Sequence, residues 1–143
     1  MSKTAIIYWS GTGNTEAMAA AISNGAKEVN PDVSVFTVAE ISTDKAAEYD
    51  TLILGCPAMG AEVLEEDEFE PFFTELEGKL AGKNVALFGS YGWGDGEWMR
   101  NWEERVAASG AKCVEPEGLT VNEAPDDDAV EMCKALGRKA AAL

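Results

Sequence analysis

Residues 5–16 read Ala5-Ile6-Ile7-Tyr8-Trp9-Ser10-Gly11-Thr12-Gly13-Asn14-Thr15-Glu16, and this stretch decides the fold. Its first five residues form a continuous apolar run, the mark of a strand covered on both faces. Two glycines among hydroxyl and amide side chains then lead straight into 15–28, a helix rich in the strong helix former alanine. The beat continues along the chain. Thr51–Cys56, Val85–Gly89 and Ala111–Val114 are further strand candidates, and the more alternating Val33–Val38 suits a sheet edge. Between them, Phe69, Phe72, Phe73, Leu76 and Leu80 make one helical apolar stripe, and Trp98, Met99, Trp102 and Val106 another. A short helix near 43–47 and a last helix after Pro125, opened by Asp126, Asp127 and Asp128, complete the pattern. Strands joined by helical crossovers form a parallel sheet with helices on both faces. The reading is one three-layer α/β domain spanning 1–143.

Composition narrows the function. At 143 residues the chain matches the roughly 150 expected of one domain, and 46% hydrophobic content supplies a core. Lys and Arg total 11 against 26 Asp and Glu, a formal net charge of −15. Such a surface repels nucleic-acid backbones and anionic lipid, so protein partners should be basic. The sequence has no histidine, which excludes Ser-His-Asp and Cys-His catalysis and the usual histidine metal sites. Cys56, Cys113 and Cys133 lack C-x-x-C spacing and read as buried thiols in a reducing compartment. The apolar run after Met1-Ser2-Lys3-Thr4 is too short for a signal-peptide core, and no 18-residue apolar stretch follows. The expectation is a cytoplasmic monomer.

Ligands of open parallel sheets bind beyond the carboxyl ends of the strands. Three loops there are unusual. Ser10–Thr15 brings several N–H groups and the side chains of Ser10, Thr12, Asn14 and Thr15 to a helix N-terminus, a cradle for phosphate. It lacks the Gly-Lys-Ser/Thr of a nucleotide-hydrolysing loop and the G-x-G-x-x-G of a dinucleotide site. No Lys or Arg lies between Lys3 and Lys27, so neutral dipoles would hold the phosphate. The plainer reading is a polar turn capping a helix. Ser90-Tyr91-Gly92-Trp93-Gly94-Asp95-Gly96 places two aromatics among three glycines, read either as half-buried packing or as a wall for a planar ligand. Met59-Gly60-Ala61-Glu62 is a tight turn whose methionine can meet a ring face. Glu62, Glu65, Glu66, Asp67, Glu68 and Glu70 put six carboxylates in nine residues, as a solvated helix start or as a docking face. Arg100, Glu103, Glu104 and Arg105 read as an exposed helix face with i, i+4 pairs, and Cys56 as a packed structural thiol.

The pairing of Ser10-Gly11-Thr12-Gly13-Asn14-Thr15-Glu16 with Gly89-Ser90-Tyr91-Gly92-Trp93-Gly94 resembles a flavodoxin of the short-chain clostridial type. The likeness runs from Ile6-Ile7-Tyr8-Trp9 through Leu54–Phe73 and Val85–Met99 to the final helix. It implies a flavodoxin-like three-layer α/β sandwich, a five-stranded parallel sheet in the order 2-1-3-4-5, with FMN at the switch between the first and third strands. By resemblance, Ser10, Thr12, Gly13, Asn14 and Thr15 hold the phosphate. Trp93 stacks on one flavin face, Met59 covers the other, and Ser90, Gly92 and Trp93 border the ring. Glu62 accepts from flavin N3–H, and the Gly60 carbonyl meets the proton that N5 gains on reduction to the neutral semiquinone. Gly11, Pro57, Ala58, Ala61, Tyr91 and Gly94 complete the implied FMN-binding set. Ala61 and Pro57 depart from the family pattern, where an Asp or other polar residue and a serine are common.

The implied function is a low-potential one-electron carrier shuttling non-covalently bound FMN between semiquinone and hydroquinone, not an enzyme. Like charge from Glu62, Glu65, Glu66 and Asp67 would oppose the second electron. Basic or positively patched redox proteins, both donor and acceptor, would dock on the acidic stretch. Two alternatives share the scaffold. An NAD(P)H-dependent FMN reductase needs a second nucleotide site, for which the chain offers no obvious loops. A receiver-type regulatory module needs acidic residues after the first strand and Asp at the end of the third, where this chain has Ser10-Gly11 and Cys56-Pro57.

Overall fold

The computed structural model describes residues 3–143; Met1 and Ser2, part of the N-terminal stretch considered above, lie outside the described residues. In chain order the elements are β1 (Thr4–Tyr8), α1 (Asn14–Val29), β2 (Ser34–Thr37), α2 (Thr43–Ala46), β3 (Thr51–Gly55), α3 (Phe69–Glu77), β4 (Asn84–Tyr91), α4 (Glu97–Ala108), β5 (Lys112–Cys113), β6 (Leu119–Asn122) and α5 (Asp127–Ala141). The strands are parallel, in the order β2-β1-β3-β4-β5, as expected.

The fifth position differs from the expectation. Lys112–Cys113 pairs with Asn84 and Val85, whereas Leu119–Asn122 pairs with Phe88 to Tyr91 on the same β4. Two short strands therefore share the place assigned to Ala111–Val114. The break is Glu115-Pro116-Glu117-Gly118. Proline has no N–H for the ladder, and the Gly118 N–H is diverted to Glu103 Oε2 at 2.6 Å. β4 also runs on through Ser90 and Tyr91, two residues read above as loop.

Side chains alternate across the sheet with the strand period of two. Ala5, Ile7, Leu52, Leu54, Val85 and Leu87 face a core closed by α3 and α4, with Phe69, Phe73, Trp98 and Trp102 fully buried there. Ile6, Ile53, Ala86 and Phe88 face the opposite core, under α1 and α5. Cys56 and Cys133 are buried; burial pushes the Cys56 thiol far up and that of Cys133 up to about 11, so neither ionises near neutrality. Cys113 is exposed, contrary to the expectation of three buried thiols, because β5 lies at the sheet edge.

Arg105 also departs from the reading of a solvated helix face. Its guanidinium forks onto Glu70 at 2.7 and 2.9 Å, reaches Glu77 at 3.0 Å, and lies 4.8 Å over the Phe73 ring. Its partners sit on α3, not one turn away on α4. The hydrogen bonds from Arg105 hold the Glu70 carboxyl below its ordinary value.

Candidate functional site

At the carboxyl ends of β1, β3 and β4 the structure opens a cleft of about 540 Å³, lined by Trp9, Gly11, Thr12, Asn14, Pro57, Ala58, Met59, Ser90, Tyr91, Gly92, Glu123 and Ala124. This is the crevice where strand order reverses, the expected place for a ligand. No Lys or Arg is among the lining residues.

One end of the cleft is polar because of how β1 passes into α1. Gly13, the residue preceding α1, has φ +96°, a left-handed conformation that glycine adopts without a Cβ penalty, and it gives the helix no side-chain cap. The first-turn N–H groups must therefore find other acceptors. Ser10 Oγ takes two, from Gly13 and Glu16, each at 3.2 Å. The backbone here already gathers around an oxygen acceptor, and a phosphate suits such convergent donors at the positive end of a helix. Thr15 is buried instead, its hydroxyl 3.1 Å from Ser90 Oγ, joining this loop to the end of β4.

The other end is apolar. Met59 begins a turn closed by reciprocal backbone bonds with Val63, 2.8 Å from Met59 N and 3.0 Å from Val63 N. Gly60 and Glu62 within it have φ of +48° and +55°. The Ala58 N–H donates to the Ser90 carbonyl at 3.0 Å, fixing this loop against β4. Trp93 stands 65% exposed on the adjacent loop, outside the cleft wall.

The cleft gathers Gly11, Thr12, Asn14, Pro57, Ala58, Met59, Ser90, Tyr91 and Gly92 from the expected set. Ser10, Gly13, Thr15, Gly60, Ala61, Glu62, Trp93 and Gly94 lie outside its wall. Trp9, Glu123 and Ala124 line it without having been anticipated. Trp9 is half-buried, with Nε1 3.3 Å from Glu68 Oε1. Glu123 follows β6 at φ +58°, and its N–H donates to the Tyr91 carbonyl at 2.7 Å. Reading Leu119-Thr120-Val121 as a strand would have placed this fourth loop at the carboxyl end of the sheet.

The acidic stretch divides in two. Glu65 is buried, and its carboxylate accepts the N–H groups of Asp67, Glu68 and Phe69, each at 2.8 Å, so it caps the start of α3. Glu66 and Asp67 remain exposed. Glu65 is a structural acceptor and no part of a docking face.

A cleft with convergent N–H donors at one end, apolar faces at the other and no cation suits an amphipathic ligand carrying a phosphate and a flat ring. The flavodoxin family model matches residues 6–137. The chain belongs to the flavodoxin family. It is 52% identical over 136 residues to the flavodoxin of Clostridium beijerinckii, covering 95% of this chain and 97% of that protein. It is 50% identical over 136 residues to the flavodoxin of Megasphaera elsdenii, covering 95% and 96%. The solution structure of two-electron reduced Megasphaera elsdenii flavodoxin superposes with a TM-score of 0.89, covering 98% of this chain and 99% of that one. Flavodoxins bind FMN and carry electrons; they are electron-transfer proteins, not enzymes, and this chain is one of them. The NAD(P)H-dependent reductase and the receiver module gain no support. Among the described residues, no helix is long and apolar enough to cross a membrane.

Proposed function

We propose that the 143 residues act as one cytoplasmic, monomeric unit that carries single electrons at low potential between basic redox proteins. The observation that supports this best is the cation-free cleft, polar at the α1 end and apolar at the Met59 end. Bound FMN supplies the one-electron chemistry, and the chain supplies binding, orientation and electrostatics.

The backbone from Ser10 to Thr15, with the Thr12 and Asn14 side chains, holds the phosphate through neutral dipoles. Met59 and Trp93 sandwich the ring; Pro57, Ala58, Ser90, Tyr91, Gly92 and Gly94 border it, and Ala61 completes the turn. The Gly60 carbonyl would accept a hydrogen bond from a proton held at N5 of the ring, and Glu62 would accept one from N3–H. Glu62, Glu66 and Asp67 lend this edge of the cleft a negative potential that disfavours further negative charge there. The exposed Glu66 and Asp67 also steer a basic partner to this edge.

The test is anaerobic stepwise reduction of the FMN-loaded protein with recorded midpoint potentials. Two separate one-electron steps, the second markedly more negative, support the reading. A single two-electron step refutes one-electron carriage.

A further inference from the structure

Helix α4 begins after Gly96, a residue at φ +93° that offers no side-chain cap. Its first N–H groups therefore need acceptors from elsewhere. Two of them find the same atom 34 and 35 residues upstream: Glu62 Oε1 accepts from the Gly96 N–H at 3.2 Å and from the Glu97 N–H at 3.1 Å. A carboxylate is the acceptor best suited to the positive end of a helix. Gly94 lies against this carboxylate at φ +92°, and a Cβ there would overlap the Glu62 side chain. Glu62 itself holds φ +55°, a costly conformation for a residue with a long side chain, which persists where neighbouring contacts over-determine it. The Met59–Val63 backbone pair constrains it on one side and α4 on the other.

We propose that Glu62 is a positioning residue that ties the turn carrying Met59 to the loop carrying Trp93 through the N-terminus of α4. Both bonds of the tie are made by groups of the chain itself. Among the described residues no group bonds Oε2, so one carboxylate oxygen anchors the side chain while the other serves as ring acceptor. This second half rests on the FMN reading above; the tie does not. The tie holds the two arms at a set spacing, so less ordering remains to be done when a ring enters between them. It also explains why position 94 takes glycine: the carboxylate occupies the space a side chain would need.

The test is amide hydrogen exchange by NMR on the FMN-free protein, comparing wild type with Glu62→Ala, Glu62→Asp and Glu62→Gln, followed by FMN titration of each. Losing a charge-assisted acceptor should speed exchange at Gly96 and Glu97 by about tenfold or more in Glu62→Ala. Glu62→Asp, one methylene shorter, should behave like Glu62→Ala. Glu62→Gln keeps an oxygen at the same reach and should restore part of the protection, a rescue that mere space-filling would not give. Equal exchange in wild type and Glu62→Ala, or no rescue by Gln, overturns the tie. In the wild type, protection at Gly96 and Glu97 should survive FMN loading. Its loss on loading would mean that the carboxylate leaves the helix, and would overturn the dual role. Failure of FMN to bind would defeat the cofactor reading while leaving the exchange result in place.

Discussion

Glu65→Ala tests the division of the acidic stretch into structural and exposed carboxylates. Glu65 is 6% exposed and accepts three backbone N–H groups at 2.8 Å, from Asp67, Glu68 and Phe69. Hydrogen bonds to a charged acceptor contribute about 1.5–3 kcal/mol each. Asp67 and Glu68 are exposed, so water can replace much of what their N–H groups lose; Phe69 is fully buried and its N–H has no such recourse. One full loss and two partial ones come to about 3 kcal/mol. For a chain of this length that is a fall in Tm of roughly 6–12 °C. With a urea m-value of about 2 kcal/mol/M, the midpoint should drop by roughly 1.5 M. The assay is urea unfolding of the FMN-free protein, so that ligand binding does not add its own stabilisation. Glu66→Ala, at the exposed neighbouring position, should stay within about 0.5 kcal/mol of wild type. If Glu65→Ala and Glu66→Ala unfold alike, the buried cap is not what orders the start of α3.

Three further outcomes follow from the same geometry. Arg105→Met removes the links to Glu70 and Glu77 and should cost about 1–2 kcal/mol, since the ion pairs are partly exposed. Because the folded-state Glu70 carboxyl lies below its ordinary 4.5, its contribution is present above that pH and lost as pH falls below it; wild-type urea midpoints should therefore decline more steeply there than those of Arg105→Met. Trp93→Ala should weaken FMN binding by about tenfold through loss of stacking, while the FMN-free protein, in which the side chain is 65% exposed, unfolds unchanged. Replacing Glu66 and Asp67 together by Lys should slow electron transfer to a basic partner at low salt and flatten its salt dependence; stopped-flow rates equal to wild type at every salt concentration would remove the docking role.

Most of the architecture could be read from local signals. Ala5–Trp9 and Thr51–Cys56 are nearly continuous apolar runs because both sheet faces are covered, and Phe69, Phe73, Trp98 and Trp102 announce their buried faces through helical spacing. The split fifth position was hidden because two-residue and four-residue strands carry too little pattern, and only Pro116 and Gly118 marked the break. The cleft followed the same rule. The glycine loop after β1 and the aromatic loop after β4 stand out in sequence, so Gly11, Thr12, Asn14, Ser90 and Gly92 were legible. Glu123 and Ala124 enter only once β6 delivers them to the carboxyl end of the sheet. The roles of Glu65 and Glu62 could not be separated by composition. Both lie in one acidic run, and only the fold turns the first under α3 and the second onto α4, whose partner N–H groups are 34 and 35 residues away.

In the proposed reading, a cleft with no Lys or Arg among its lining residues holds FMN through backbone dipoles. Its most direct test is titration of the FMN-free protein with FMN, followed by quenching of flavin fluorescence, at salt concentrations from about 0.05 to about 0.5 M. One FMN should bind per chain, with an affinity that stays level or rises with salt, because screening relieves repulsion between the phosphate and a chain of net charge −15. An affinity that falls tenfold or more over that range would mean that Lys or Arg side chains hold the phosphate, and would contradict it.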